Sequence, residues 1–266
     1  MMEKTKYLEI EIKKQTAVIY LNREKENSLN IEFMGELEMA HRELNANGSV
    51  RAVILTSREP GFFSNGLDIH VLLNSGISGK IHMFEALFNM SRAVYSFEKI
   101  HVCLMNGHAM AGGAILAAMS DFRFMANGPY RVSFSEVKLG LAIPPLFIKI
   151  IQSITGGAAL NKTVLQGKAF KPAEALQTGF VDDIFPQEDA LFKTEKFVHA
   201  LLQSPPQSYT AVKQYLRKDM IHQFEADKAE TLQNFSRFFN DNFTEALLAI
   251  SGKRRPVFSD NKKMDD

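Results

Sequence analysis

Two glycine-bearing segments and one glutamate supply the residue types needed for acid–base chemistry beside a carbonyl. The first segment is Phe62-Phe63-Ser64-Asn65-Gly66-Leu67-Asp68, and the second is Asn106-Gly107-His108-Ala109-Met110-Ala111-Gly112-Gly113-Ala114. Each follows a strand-like run and holds glycine just before helix-like sequence, where the backbone can bend and approach a ligand closely. A helix starting near Gly112 leaves its first N–H groups unpaired at the positive end of the dipole. Two backbone N–H groups from separate loops can meet on one oxygen. That is an oxyanion hole, suited to a carbonyl that gains negative charge. Taken alone, Gly-Gly after a strand is more often only a tight strand-to-helix turn. Neither segment matches GxxxxGK[ST] or GxGxxG, which disfavours a nucleotide-triphosphate or dinucleotide enzyme.

Glu136 is the candidate acid/base group. Apolar neighbours such as Phe134, Ile143 and Leu146 would raise its pKa if they enclose it. Without further context, a glutamate on a loop is more commonly exposed. His108 has no carboxylate, serine or cysteine partner beside it in sequence and reads as structural. The histidines are scattered, with no HExxH and no paired Cys/His spacing, so no metal site is expected. The single cysteine, Cys103, lies in the apolar run 101–105 and reads as an inert core residue.

The elements that would position these groups alternate. Leu8, Ile10 and Ile12 interleave with Tyr7, Glu9 and Glu11, and 17–21 forms a second strand. Residues 31–45 carry Phe33, Leu37, Ala40 and Leu44 at helical spacing. A buried strand over 50–56, a loop over 62–66 and a helix over 81–99 follow. The order then repeats as a strand over 101–106, a glycine loop, a helix from Gly112 and strands over 122–125 and 131–133. Strands alternating with helices predict an α/β sheet with ligand loops at the strand ends. Beyond Pro144 the chain reads as mainly helical. Ser204-Pro205-Pro206 breaks it, giving an α/β core over 1–200 and a helical region over 201–266. Residues 70–81, with Gly76 and Gly79, read as a mobile stretch near the pocket.

Composition sets the class. The chain has 266 residues, 45% hydrophobic, with a net charge of +1, enough to bury a large core and with no overall pull toward nucleic acid or membranes. There is no basic stripe with aromatic interleaving. One cysteine excludes an intrachain disulfide and fits a reducing compartment. The start, MMEKTKYLEI, does not resemble a signal peptide. No apolar run approaches a membrane span, and the end, KKMDD, is not an SKL-type address. A cytoplasmic protein is expected.

Five ordered motifs resemble those of the enoyl-CoA hydratase/isomerase (crotonase) family across nearly the whole chain. Leu21-Asn22-Arg23 is followed by Asn27-Ser28-Leu29-Asn30, like the family's N-x-L-N stretch. Phe63-Ser64-Asn65-Gly66-Leu67-Asp68-Ile69 resembles F-(C/S)-x-G-x-D-(I/L). Asn106 to Ala114, with Asp121 after the helix, resembles N-G-x-x-x-G-G-(G/A). Phe134-Ser135-Glu136-Val137-Lys138-Leu139-Gly140 resembles F-x-x-(P/S)-E-x-x-L-G once the glutamate-to-Leu-Gly spacing is aligned. Gly167 through Val181 carries Glu174-Ala175 and Gly179-Phe180-Val181 as the family does. The resemblance implies a crotonase-like ββα spiral core with a helical C-terminal trimerisation region, in a homotrimer or hexamer. It also implies that the N–H groups of Leu67 and Gly112 are the oxyanion donors. Ser28, Asp68 and Ile69 would line the coenzyme A pocket. Lys253-Arg254-Arg255 reads as a solvated helix end in a region that approaches coenzyme A in the family.

Hydration in this family commonly uses two glutamates. The position of the first is Ile115 here, and the second is Glu136. Isoleucine cannot carry a proton, whereas one carboxylate suffices to move a double bond. The segment from Ser135 to Pro144 resembles the single-glutamate Δ3,Δ2-enoyl-CoA isomerase branch. The implied activity is therefore a Δ3-to-Δ2 shift in an enoyl-CoA during fatty-acid breakdown. Coenzyme A belongs to the substrate, and no separate cofactor is implied. Dienoyl-CoA isomerisation would need a further acidic residue where Pro144 stands. A hydratase or another family reaction using Glu136 alone, and a non-catalytic CoA-binding module, are the alternatives.

Overall fold

The computed structural model describes residues 2–24 and 26–259, with side chains from residue 5 onward. The KKMDD reading lies outside the described residues. β1 (Met2–Lys4), β2 (Leu8–Lys13) and β3 (Thr16–Leu21) form an antiparallel meander. Along β2 the side chains alternate between core and surface, as the sequence pattern requires of a sheet with one solvated face. β4 (Ala52–Ser57), β6 (Ile100–Met105), β8 (Phe122–Asn127) and β10 (Asp183–Pro186) extend the sheet in parallel, in the order β1-β2-β3-β4-β6-β8-β10. β4 and β6 are buried along their whole length. That burial explains their mostly apolar sequences, which read as strands without alternation.

The helices between strands follow their caps. Asn30 accepts a hydrogen bond from the Phe33 N–H and opens α1 (Ile31–Ala46). Asp68 accepts from the His70 and Val71 N–H groups and opens α2 (Ile69–Asn74). α3 (Ile77–Tyr95) then packs on α1. Residues 70–81 are thus mostly helical, and the expected mobile stretch is reduced to a short break between α2 and α3. The helix expected over 81–99 starts and stops four residues earlier because Ser96 ends it. α4 (Gly112–Ala118) is wholly buried. α5 (Pro145–Leu160), α6 (Pro172–Gln177) and α7 (Ala190–Leu201) follow. After the break at Ser204, α8 (Pro206–Phe235) packs against α3 and α5, and α9 (Asp241–Ser251) against α2.

A second, smaller sheet was not apparent from the sequence. β5 (Phe62–Ser64), β7 (His108–Met110) and β9 (Val132–Ser133) run parallel in that order. β5 occupies part of the expected 62–66 loop. Such short strands carry too few residues for a periodic signal.

Candidate active site

Each strand of the small sheet delivers one group to the same place. Beyond the end of β5 lies Leu67, beyond β7 lies Gly112, and beyond β9 lies Glu136. The carboxyl ends of parallel strands are where ligand-binding groups collect in α/β folds. All three residues line one cavity of about 270 Å³.

The first loop is held from both sides. The Leu29 N–H donates to the Gly66 carbonyl at 2.7 Å, and the Asp68 N–H donates to the Leu29 carbonyl at 2.9 Å. Leu67 is bridged between them with its own N–H directed away from Leu29, and that N–H has no acceptor among the described residues. Asn27, fully buried at φ 49°, anchors the approach by donating to Ser57 Oγ and to the Phe63 carbonyl. Gly66 has φ 82°, and a Cβ there would lie 2.9 Å from the Gly112 nitrogen. Only glycine allows the two loops to approach this closely.

The second loop turns at Ala111, which has φ 45° and ψ −117°. A non-glycine residue in such a conformation stores strain. The Ala111 N–H donates to the Ser133 carbonyl at 2.7 Å, which holds the turn against β9. Gly112 N–H is then the first free donor of α4. Gly113 is constrained as well, because a Cβ there would overlap the Ser64 carbonyl. A Cβ built on Gly112 would sit 3.5 Å from the Leu67 nitrogen, so the two amides lie close together at the cavity.

Glu136 starts a single 3-10 turn that ends at Gly140, in the left-handed region at φ 70°. The residue is 6% exposed, and its Oε2 has no hydrogen-bond partner. Burial raises its pKa to about 7, while a hydrogen bond from its own amide pulls the other way. It is the only ionisable side chain lining the cavity among the described residues. Ile115 is buried in the cavity wall. Phe134, Ile143 and Leu146 are buried, but they lie behind the wall. The lining is instead Leu139, Leu141, Ala142 and Pro144, with Phe84 and Leu87 from α3 and Phe243 and Leu247 from α9. Sequence reading missed these two helical contributions. The only signal for them was apolar periodicity, which any core helix shows.

Of the residues expected at the coenzyme A pocket, Ile69 lines the cavity. Asp68 caps α2 and pairs with Arg23 at 2.7 Å, and Arg23 also donates to the Ser28 carbonyl. Ser28 and Asp68 therefore sit in the frame beneath the first loop. His108 Nδ1 accepts from the Arg131 N–H, and its ring meets Tyr130 and Phe62, which is a structural setting. Cys103 is buried, and burial pushes its thiol up. Arg254 is held by Glu245 of α9 at 2.7 Å. No cluster of His, Cys, Asp and Glu suited to a metal ion occurs among the described residues. None of the described helices is long and apolar enough to cross a membrane.

The sequence model of the enoyl-CoA hydratase/isomerase family matches residues 11–261. The chain belongs to this family. Mouse mitochondrial enoyl-CoA delta isomerase 1 is 31% identical over 237 residues, covering 87% of this chain and 81% of the mouse protein. The human mitochondrial counterpart is 29% identical, covering 84% of this chain and 74% of its own length. The crystal structure of human mitochondrial delta3-delta2-enoyl-CoA isomerase superposes with a TM-score of 0.89 at 26% identity, covering 93% of this chain and 98% of that one. The fold is accordingly crotonase-like.

Proposed function

We propose that this member of the family shifts the double bond of a Δ3-enoyl-CoA to Δ2, with Glu136 as its only acid/base group. The observation that carries this reading is the single ionisable side chain among the described residues of a mostly apolar cavity that Leu67 and Gly112 also line, their N–H groups without acceptors among the described residues. The thioester oxygen sits between the Leu67 and Gly112 N–H groups. Glu136 takes a proton from C2, and the C2–H electron pair forms a C1–C2 double bond while negative charge moves to the oxygen. Fixed amide dipoles in a dry site stabilise that charge. As the carbonyl re-forms, the pair moves to C2–C3, and the C3–C4 pair takes the proton back from Glu136 at C4. Nothing is added or lost, so no second carboxylate, water or resident cofactor is needed. Hydration by two glutamates is disfavoured by Ile115.

A carboxyl with pKa near 7 is a stronger base than an ordinary glutamate and suits proton transfer at neutral pH. Because the base must be ionised, kcat/KM should rise with pH through about 7. The decisive test is turnover of 3-hexenoyl-CoA and 2-hexenoyl-CoA by wild type and Glu136→Gln. The wild type should convert the 3-enoyl substrate, and the variant should lose roughly 10²–10⁴-fold in rate. Hydration of the 2-enoyl substrate as the main reaction, or a variant that keeps its rate, would overturn the assignment. The same reading includes a homotrimer or hexamer. Val212, Tyr215 and Leu216 form an exposed apolar stripe at helical spacing on α8, which supports association. Light scattering on the purified chain checks it.

A further inference from the structure

The catalytic cavity shares a wall with a second cavity of about 140 Å³. Ala142 and Pro144 line both spaces. The remaining partition is a ring pair, since Phe84 faces the catalytic cavity, Phe235 faces the second one, and their centroids lie 4.4 Å apart. Beyond the wall, Ile143, Phe235 and Phe238 make an apolar lining, and the exposed Glu230, Asn234 and Arg237 rim it. An apolar cavity of about 150 Å³ holds a six-carbon ring, so the second space has room for on the order of six carbons. By the same scale, the catalytic cavity holds roughly ten heavy atoms. The thioester and the reacting carbons occupy part of that.

We infer that the second cavity is a subsite for the distal methylenes of long acyl chains, entered past Ala142 and the Phe84–Phe235 pair. This rests on the acyl-CoA reading above. A long chain anchored at Leu67 and Gly112 fills the catalytic cavity before its tail ends. The continuation lies on the side where Ala142, Pro144 and the Phe84–Phe235 pair alone separate the two spaces. Its apolar lining matches a hydrocarbon, and its polar rim sits where the tail reaches water. Each methylene that enters raises affinity by roughly fourfold at most.

The chain contains no tryptophan. An Asn234→Trp variant therefore places a single indole at the rim of the second cavity, on an exposed position that lines only that space. The variant is titrated with saturated hexanoyl-CoA and hexadecanoyl-CoA, with binding measured in parallel by calorimetry. Hexadecanoyl-CoA should shift the indole emission to the blue, and hexanoyl-CoA should bind without shifting it. A second variant, Thr231→Phe, fills the cavity from α8. It should lower affinity for hexadecanoyl-CoA by tenfold or more and change hexanoyl-CoA affinity by less than twofold. Binding of the long chain with no emission shift, or equal losses for both chains in Thr231→Phe, overturns the subsite and leaves the isomerase reading standing. Failure of both thioesters to bind the wild type overturns the two together.

Discussion

Two carboxylates whose side chains are largely withdrawn from solvent have opposite surroundings. Asp121 follows α4 and is met by the His101 N–H, the Tyr209 hydroxyl, Lys213 and Arg217, all within 2.9 Å. Lys213 and Arg217 come from α8, and Arg217 also donates to the Tyr95 and Met119 carbonyls. Glu136 is buried to a similar degree and leaves one oxygen with no partner at all. A buried charge that is paired and hydrogen-bonded fastens elements together, whereas one that is unpaired is tolerated only at a cost to folding. The first carboxylate thus ties α8 to the core. On the proposed reading, the second is left free to take a proton from substrate.

Removing each carboxylate should therefore act in opposite directions. Asp121→Ala leaves two buried cations uncompensated and should cost about 3–5 kcal/mol in urea unfolding. If it costs less than about 1 kcal/mol, Asp121 is not the fastening described. Glu136→Gln keeps the shape and removes a group that resists ionisation in the folded state. At pH 8 the folded protein must ionise a carboxyl whose pKa is about 7, against 4.5 as its ordinary value. The variant should therefore be more stable than wild type there by about 3 kcal/mol, with little difference at pH 4. Loss of stability at pH 8 would show that Glu136 has a partner after all. Gain of stability with loss of turnover is the pattern expected when a site is kept strained for function.

The contrast also explains what the sequence could reveal. Glu136, Leu67 and Gly112 sit in short local segments that ordered motifs single out, and the fold brings all three to one cavity. The α/β alternation was readable because β4 and β6 are mostly apolar runs and α1 has a clean apolar stripe. The split expected near residue 200 falls at the turn between α7 and α8, but nothing in the sequence tied α8 back to Asp121. Lys213 and Arg217 read as surface charges on a polar helix, since pairing across about 90 residues leaves no local trace. The cavity wall failed for the same reason. Phe84 and Phe243 belong to helices far apart in the chain, and their apolar faces do not say which other face they meet. The small sheet was invisible because β9 has only two residues.

The finest test compares the pH dependence of stability in wild type and Glu136→Gln. His41 Nδ1 faces the Leu37 carbonyl and so carries its proton there, which leaves Nε2 to accept from His101 Nε2 at 3.0 Å. Both rings are fully buried and near Lys213, and burial lowers His41 from 6.5 to about 4 and His101 well below its ordinary value. A histidine kept neutral in the fold binds fewer protons folded than unfolded, so its contribution is present above pH 6.5 and fades as pH falls toward 4. Glu136 behaves conversely. It binds more protons folded than unfolded between pH 4.5 and about 7, so its contribution grows as pH falls through that window. In wild type the two trends oppose each other between pH 4.5 and 6.5. In Glu136→Gln the opposing Glu136 trend is gone and every other trend is unchanged. Its stability should fall more steeply on acidification than wild type, by about 1.4 kcal/mol per pH unit across that window. Equal slopes in the two proteins would mean that Glu136 titrates like an exposed glutamate, and the contrast with Asp121 would then rest on geometry alone.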